Sequence, residues 1–396
     1  MYILILPQWS TVVDGVHLLD RDSAFTCTKT QLLAIRKKYP QAHITIAIPE
    51  HASVDSYLYV LNDFEHNYEV DSYVRMNYKH PVDDRYLLDL SAIAGYEPDI
   101  IFNNIPEIAR NLRCLYRGLS YKLISFHHFP DHLDEGNLVN WEGGANFAYF
   151  WRQLDGAICS DGNVFNMNCT MQGFVDNVKD KLGIEIDATY ISYLRTSDFY
   201  SSGTKKFKRR TAIFGNRITG SHYSNWLHAF KLFQNKEDCG DIRVIFTNPT
   251  GAKGLAELDK IPAYFTISED EFGFKYRSYF DGRIIVPLEG VSKQTYYNLC
   301  MKSHYTFSLF SDERFGGLTV RESVLLGANI PVTLNVHQFS NWYKGIEINT
   351  IDSIDELQKG FLPYLESIGW SEETSIISNI LDEDELNHIN NLINLI

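Results

Sequence analysis

The fold of this chain is decided by residues 308–332, which read SLFSDERFGGLTVRESVLLGANIPV. The short apolar run at 307–310 has the length and composition of a buried parallel strand. A loop of acidic residues and glycines follows, and then a helical stretch that leads to a second strand beginning at Pro331. A strand, a loop, a helix and a strand in this order predict an α/β unit with a parallel sheet.

The loop in this stretch has the composition of an anion site that also binds hydroxyl groups. Gly316 and Gly317 let a ligand approach the backbone, and Thr319 can cap the helix that follows. The free N–H groups at the start of that helix favour an anion. Glu313 and Glu322 flank the anion site with carboxylates, which suit hydroxyl groups better than phosphate. Together these residues predict a nucleotide-sugar site; the alternative is a solvent-exposed loop in an unrelated α/β unit.

The stretch resembles the donor-site motif of retaining GT-B glycosyltransferases, in which Glu-x-Phe-Gly-Leu precedes a second Glu and a helix that ends in Gly and Pro-Val. In that family the first Glu contacts the sugar hydroxyls and the second contacts the ribose. The resemblance assigns these roles to Glu313 and Glu322, and it adds Leu318 to the donor site with the two glycines and the capping threonine. Eight residues separate the two carboxylates where the family has seven, so Asp312 is an alternative to Glu313.

A second part of the resemblance lies at the start of the second half of the chain. Residues 211–214 form a predicted strand, and Gly215-Asn216-Arg217 follows it. The family carries Gly-Arg here and a Lys a few residues later, both on the donor diphosphate. Arg217 matches the Arg, no Lys follows, and His222 is the nearest substitute. Further strands are predicted at 242–247 and 283–286, and residues from 351 onward are predicted to be mostly helical.

The first half of the chain predicts another α/β unit. Residues 2–6 and 43–48 have the composition of buried strands, and a helix at 23–38 between them is capped by Asp22 or Ser23. No Gly-x-Gly-x-x-Gly follows the first strand, which counts against a nicotinamide-dependent oxidoreductase. Asp20-Arg21-Asp22 is similar to the metal-binding Asp-x-Asp of another glycosyltransferase class, but helix capping explains it better.

Three further segments, 99–106, 122–132 and 156–163, each begin as a predicted strand and end in a polar loop. Ligands of open α/β sheets bind at the carboxyl ends of strands, so these loops predict one wall of an active site. His127, His128, Asp131 and His132 have the residue types of a metal site, but contacts to a polar substrate are the preferred interpretation. In the GT-B family a histidine after the corresponding strand contacts the donor sugar. His128 matches it, and with Asp131 it would orient donor and acceptor.

The polar segment 190–210 predicts a linker between two domains, and it ends in a basic run near the expected cleft. Such a run is usually a solvated face, but in a chain of net charge −14 it is a candidate for phosphate contacts. It consists of Lys205, Lys206, Lys208, Arg209 and Arg210. The resulting prediction is a GT-B fold of two facing Rossmann-like domains with a cleft between them. The acceptor domain would cover 1–195, the donor domain 196–370, and a C-terminal helical segment 371–396.

Composition sets limits on the class of protein. The 396 residues are 44% hydrophobic and 22% charged, which is typical of a globular chain. A net charge of −14 excludes a surface covered with cations for nonspecific nucleic-acid binding. The six cysteines form neither a zinc motif nor a disulfide framework, no signal peptide is recognisable, and no apolar run reaches membrane-span length. A cytoplasmic location is therefore expected.

The acceptor is predicted from a narrower resemblance. Segments 99–106, 126–132, 155–166 and 326–332 resemble the DNA α-glucosyltransferases of T-even phages. The resemblance implies metal-independent, retaining transfer of a hexose or pentose from a UDP-linked donor, with no other cofactor, in the host cytoplasm. The acceptor would be the hydroxymethyl group of a modified pyrimidine in double-stranded phage DNA, held by the basic run. The alternatives are a glycosyltransferase that builds a saccharide and a noncatalytic nucleotide-sugar-binding module.

Overall fold

The computed structural model describes residues 1–78, 89–127, 144–166, 169–191, 205–214, 230–247, 258–262, 264–266, 272–288, 291–308, 330–334, 349–351, 354–368 and 378–396. The chain divides into two compact units. Unit 1 comprises Met1–Arg195 and Asp382–Ile396, and unit 2 comprises Thr196–Leu381. Each unit is built on a largely parallel sheet, so the predicted α/β class is confirmed.

Unit 1 contains a parallel sheet of seven described strands in the order β5-β4-β1-β6-β7-β8-β9. These strands are β1 (Tyr2–Leu6), β4 (His43–Pro49), β5 (Ser72–Met76), β6 (Ile100–Asn103), β7 (Lys122–His127), β8 (Gly162–Asn166) and β9 (Ala188–Ile191). A two-stranded hairpin, β2 (Val12–Val13) and β3 (Val16–His17), follows β1. The helices are α1 (Ser23–Lys38), α2 (Val54–Tyr68), α3 (Ala109–Leu115), α4 (Gly144–Cys159) and α5 (Cys169–Leu182). A short 3-10 helix, Pro106–Ile108, precedes α3.

The strands of this sheet are covered on both faces, which explains their continuous apolar composition. Ile3, Leu4, Ile5 and Leu6 of β1 are all fully buried. Ile3 and Ile5 belong to one hydrophobic cluster, and Leu4 and Leu6 belong to another. Because successive side chains of a strand point to opposite faces, a run without alternation indicates a central parallel strand. The predicted strand at 2–6 and the predicted helix at 23–38 are therefore confirmed.

Unit 2 contains a sheet of eight described strands in the order β12-β13-β14-β11-β10-β15-β16-β17. They are β10 (Thr211–Phe214), β11 (Arg243–Phe246), β12 (Tyr264–Thr266), β13 (Tyr276–Tyr279), β14 (Ile284–Pro287), β15 (Tyr305–Ser308), β16 (Ile330–Leu334) and β17 (Asn349–Ile351). The pairings of β12 with β13 and of β13 with β14 are antiparallel, and the others are parallel. Helices α6 (Lys236–Cys239), α7 (Lys293–Lys302) and α8 (Ile354–Ile368) lie among its described residues.

The stretch that decided the fold lies between two neighbouring strands, as its composition predicts. β15 and β16 pair in parallel, with Phe307 opposite Val332. The described strands are Tyr305–Ser308 and Ile330–Leu334, and residues 309–310 of the predicted first strand lie outside the described residues. A parallel pair requires a crossover connection, and residues 309–329 supply it. The loop and helix predicted there lie outside the described residues.

One predicted strand was wrong. Residues 156–163 were predicted to form a strand followed by a loop, but residues 156–159 form the last turn of α4, and β8 begins at Gly162. The sequence Gly156-Ala157-Ile158-Cys159 is a short apolar run, and such runs do not distinguish a strand from a buried helix segment. The local geometry favours the helix because Gly156 allows it to approach the backbone of Pro106 closely.

The last helix, α9 (Ser378–Leu395), brings the end of the chain into unit 1. Leu392 and Ile396 are buried in the same hydrophobic cluster as β1 and α1. The ammonium group of Lys122 donates to the carbonyls of Leu395 and Ile396, at 2.5 and 3.4 Å. Lys38 likewise donates to the carbonyl of Ile393 at 2.8 Å. Residues of α9 and Ile396 therefore pack into the core of unit 1, although they follow unit 2 in sequence.

None of the helices in the described part of the chain combines the length and the apolar character that crossing a bilayer requires.

Candidate functional site

A buried aspartate fixes the backbone of the loop after β1. Asp22 is 1% exposed, and its Oδ2 accepts hydrogen bonds from the backbone N–H groups of Ser10 and Thr11 at 2.7 and 2.6 Å. Its Oδ1 accepts from the N–H of Ala24 at 2.9 Å and so caps α1. The predicted cap is confirmed. Dinucleotide phosphates bind at the start of the first helix in Rossmann units, and here an aspartate of the protein caps that helix, which agrees with the missing glycine fingerprint.

Buried amides fix the carboxyl end of β6. Gln31 and Asn104 exchange two side-chain hydrogen bonds, at 2.6 and 3.2 Å, which join α1 to the loop after the strand. Asn103 donates to the hydroxyl of Ser125 at 3.2 Å and accepts from the N–H of Ile105 at 3.1 Å. Polar residues of the loop at 99–106 are therefore used to hold neighbouring elements together, because buried amides must find hydrogen-bond partners.

His127, the last residue of β7, is a buried structural histidine. It is 1% exposed, and its ring stacks on Phe165 with 4.2 Å between the ring centres. Its Nδ1 lies 3.0 Å from Oε1 of Gln153, and its Nε2 lies 3.0 Å from Oδ1 of Asn163. Burial lowers the pKa of His127 to about 4, although both hydrogen bonds act in the opposite direction. The imidazole is therefore neutral near pH 7.

The same hydrogen-bond network includes a carboxyl group between β6 and α3. Nε2 of Gln153 lies 2.5 Å from Oε1 of Glu107, which is in the 3-10 helix before α3. Burial raises the pKa of the Glu107 carboxyl to about 7, opposed by its own backbone N–H, by Gln153 and by the charge of Arg152. Sequence reasoning missed Glu107 and Gln153, because residues so far apart in sequence show no shared pattern before the fold joins them.

The residues predicted to bind the donor and to act in catalysis lie outside the described residues. They are His128, Asp131, Arg217, His222, Glu313, Gly316, Gly317, Leu318, Thr319 and Glu322. The strands that lead to them are described. β10 and β15 are parallel neighbours, with Phe214 opposite Phe307. The segments that carry Arg217 and Glu313 therefore both start at the carboxyl edge of one sheet, where ligands of such sheets bind.

The basic run lies at the opposite edge of the same sheet. Its residues directly precede β10, and so they lie at the amino end of the strand. The four-residue strand separates them from the carboxyl edge by about 13 Å. The position of this run near the cleft between the two domains stays a prediction. The role of the run in acceptor binding stays a prediction.

Two cations of the run have partners inside unit 2. The ammonium group of Lys206 donates to the carbonyl of Ser303 at 2.7 Å, and burial lowers its pKa to about 7. Arg209 donates to the carbonyl of Asp241 at 2.6 Å and to those of Asp281 and Gly282 at 3.2 Å. These bonds join the amino ends of neighbouring strands.

The other three cations differ in their surroundings. The charge of Arg210 acts on the hydroxyl of Tyr305, and the Arg210 carbonyl accepts a hydrogen bond from the N–H of Arg243 at 3.0 Å. The side chains of Lys205 and Lys208 are exposed. These two lysines are the members of the run that are best placed to meet an anionic partner.

No three His, Cys, Asp or Glu side chains converge to hold a metal ion in the ranges that the structure describes. The loop with His128, Asp131 and His132 lies outside those ranges.

Several solved structures are similar to the whole chain. The OtsA apo structure has a TM-score of 0.59 at 12% identity, over 99% of this chain and 97% of that chain. An E. coli trehalose-6-phosphate structure bound with UDP-2-fluoro glucose has a TM-score of 0.57 at 11% identity, over 100% of this chain and 97% of that chain. Anabaena Alr3699/HepE in complex with UDP-glucose also has a TM-score of 0.57 at 11% identity, with the same two coverages of 100% of this chain and 97% of that chain. No protein-family model matches the chain, and no curated protein matches it in sequence.

Similarity over nearly the full length, at identities this low, defines the fold. The chain has the GT-B fold, with one Rossmann-like sheet in each of its two units. The predicted fold class is therefore confirmed.

Proposed function

We propose that this chain is a retaining glycosyltransferase that takes its sugar from a UDP-linked donor. The observation that carries the proposal is the pairing of β10 with β15. It starts the Arg217 segment and the Glu313 segment at the same edge of one parallel sheet. The GT-B fold supports the proposal, as does the presence of UDP-glucose or its 2-fluoro analogue in two of the similar structures.

In the proposed reaction the second unit binds the donor. Arg217, His222 and the helix N–H groups near Thr319 neutralise the diphosphate, on which negative charge grows as the sugar departs. Glu322 accepts hydrogen bonds from the ribose, and Glu313 accepts them from the sugar. No metal ion is needed in this scheme, because side-chain and helix charges stabilise the leaving group.

The transfer itself requires one bond to break and one to form. The bond between the anomeric carbon and the phosphate oxygen breaks, and the acceptor oxygen bonds to that carbon on the same face. The departing phosphate oxygen takes the proton of the acceptor hydroxyl, and UDP leaves. His128 and Asp131 orient donor and acceptor for this step.

The donor is identified by measuring thermal unfolding of the protein with a panel of nucleotide-sugars. We expect UDP-sugars to raise the unfolding temperature, because a ligand that binds only the folded state stabilises it by mass action. Release of free sugar and UDP then distinguishes an enzyme from a noncatalytic binding module. The reaction is repeated with EDTA, and we expect activity to persist. A panel without any stabilising nucleotide-sugar would refute the proposal.

For the acceptor, we propose the hydroxymethyl group of a modified pyrimidine in double-stranded DNA. An enzyme that acts on a base must extrude it from the duplex, and cations hold the phosphates while it does so. Lys205 and Lys208 are the exposed cations available for this in the basic run. The second candidate is a saccharide acceptor, favoured by the net charge of −14 and by the internal partners of Lys206 and Arg209.

Incubation with labelled donors separates the two acceptors. Duplexes containing hydroxymethylcytosine or hydroxymethyluracil are digested to nucleosides, and their masses are measured. A mass increase by one sugar supports DNA, whereas labelling of a saccharide alone supports the second candidate. Replacing Lys205 and Lys208 by Ala is expected to weaken DNA binding and to lower its salt dependence. Replacing Lys179 and Lys181 by Ala removes the same charge from unit 1 and serves as the control.

A further inference from the structure

Glu107, Gln153, His127 and Asn163 form a continuous series of hydrogen-bonding groups at the carboxyl edge of the first sheet. We propose that Glu107 is a protonated acid and a positioning residue. Through Gln153 it holds His127 in the Nε2–H tautomer and so fixes the end of β7, from which the chain continues to His128. The consequence for catalysis rests on the proposed function, but the protonation pattern does not.

One end of the series determines the tautomer of His127. Nδ2 of Asn163 donates to the carbonyl of Ala157 at 3.1 Å, which fixes the orientation of that amide. Its oxygen therefore faces Nε2 of His127 at 3.0 Å, and Nε2 must carry a hydrogen. Burial keeps the imidazole neutral, so Nδ1 carries a lone pair and needs a donor. The group that faces Nδ1 is the side-chain amide of Gln153.

The orientation of Gln153 then determines the protonation of Glu107. The oxygen and nitrogen of an amide have nearly the same shape, and their assignment follows from the surrounding hydrogen bonds. A donor toward Nδ1 of His127 requires the nitrogen of Gln153 on that side and its oxygen toward Glu107. An oxygen facing a carboxyl group is satisfied only if that carboxyl is protonated. The separation of 2.5 Å is short for N–H···O but ordinary for O–H···O.

The surroundings of Glu107 also favour the acid. Its Oε2 is buried and has no well-formed hydrogen bond to a described residue, so a carboxylate would be poorly satisfied. Among the described residues, the charge of Arg152 acts on Glu107 and favours ionisation, whereas Arg110 of α3 is paired with Asp155 of α4 at 2.8 Å. Above the carboxyl pKa of about 7, Glu107 is a carboxylate and accepts hydrogen bonds only. Gln153 must then direct its amide nitrogen toward Glu107. An amide oxygen then faces the Nδ1 lone pair of His127.

The first test reads the tautomer directly. Protein labelled with ¹⁵N-histidine is examined by long-range ¹H–¹⁵N NMR, and the His127 signals are assigned by their loss in His127→Asn. At pH 6 we expect the Nε2–H pattern, and an Nδ1–H or imidazolium pattern overturns the proposal. Glu107→Gln should keep the Nε2–H pattern at pH 8, because a primary amide donates toward Gln153 at any pH. Gln153→Leu should give the same pattern at pH 6 and pH 8, because Asn163 still requires a hydrogen on Nε2 and the amide that links Glu107 to His127 is absent. A pH-dependent change in this variant like that of the wild type would also overturn the proposal.

The second test uses stability against pH. Glu107 has a folded-state pKa above its unfolded value, so the folded protein keeps a proton that the unfolded chain releases in this window. Its stabilising effect is therefore complete below the unfolded pKa and is lost as pH rises to about 7. Between pH 5 and pH 8 the unfolding temperature of the wild type should fall relative to that of Glu107→Gln. The exposed Glu97, changed to Gln, should behave like the wild type, and identical profiles for all three proteins overturn the proposal.

The third test concerns catalysis and depends on the proposed function. If only the acid form of Glu107 positions the site, the transfer rate should be roughly tenfold lower at pH 8 than at pH 6, as for a group with a pKa of about 7. In Glu107→Gln this ratio should lie near one, and in Glu97→Gln it should match the wild type. If no donor supports transfer, the proposed function fails while the NMR result stands. An equal fall in wild type and Glu107→Gln removes Glu107 from the positioning role.

Discussion

Replacing Asp22 by Ala should destabilise unit 1 strongly. The carboxylate caps α1 and accepts two further backbone hydrogen bonds, from Ser10 and Thr11. Loss of a helix cap costs about 1 kcal/mol. The hydrogen bonds from Ser10 and Thr11 have a charged acceptor, but both residues are partly exposed, so water can replace the carboxylate at their N–H groups. We therefore assign each of these bonds a net stabilisation of about 1 kcal/mol. We therefore expect a loss of about 3 kcal/mol, and about 1 kcal/mol for Asp22→Asn, which keeps the oxygen but loses the charge.

Hydrogen–deuterium exchange of peptides from residues 7–38 measures this effect locally. A loss of 3 kcal/mol corresponds to roughly 100-fold faster exchange in amides that exchange by opening of α1. Asp20→Ala is the matched control, because the Asp20 carboxylate makes no hydrogen bond to any described residue; we expect it to change stability by less than about 0.5 kcal/mol. Equal effects of the two substitutions would contradict the capping role and support a shared metal site at Asp20 and Asp22.

Gly156→Ala should lower the unfolding temperature, because its Cβ would lie 2.3 Å from the carbonyl oxygen of Pro106. We expect a cost of roughly 2–3 kcal/mol, whereas Gly95→Ala, with nothing within 4 Å, should be nearly neutral; similar melting curves would refute the close approach. Glu322→Ala should weaken donor binding by about 1–3 kcal/mol in calorimetry, and unchanged affinity would exclude the ribose contact. Arg217→Ala should lower kcat more than it raises KM, since leaving-group charge is largest in the transition state; a rise in KM alone would make it a simple binding residue.

The parallel strands could be predicted from sequence because both of their faces are buried. The runs at 2–6, 211–214 and 307–310 each contain consecutive apolar residues, and strands form at or within two residues of them. The antiparallel pairs of β12, β13 and β14 were not predicted. β14 was predicted as a strand at 283–286, but β12 (Tyr264–Thr266) and β13 (Tyr276–Tyr279) are short and contain polar residues, so no continuous apolar run marks them.

The candidate site was predictable only where a residue acts within its own segment. Asp22 was identified as a cap because a cap is a local feature, one residue before its helix. Glu107 and Gln153 were not identified, because their bond joins two segments and neither residue stands out locally. The basic run is the opposite case. Its charge is evident in sequence, but the partners of Lys206 and Arg209 and the edge on which they lie follow from the sheet alone.

The return of α9 to unit 1 has a consequence for the order of events during synthesis. Residues 1–195 are translated before unit 2, but Leu392 and Ile396, which are buried in their core, are translated after it. At about 5–20 residues per second, translation of unit 2 takes roughly 10–40 s. Throughout that interval the apolar surface that later receives α9 is open to water and to other nascent chains. Unit 1 is thus completed only after unit 2 has been translated, and the face that Leu392 covers is exposed to aggregation until then.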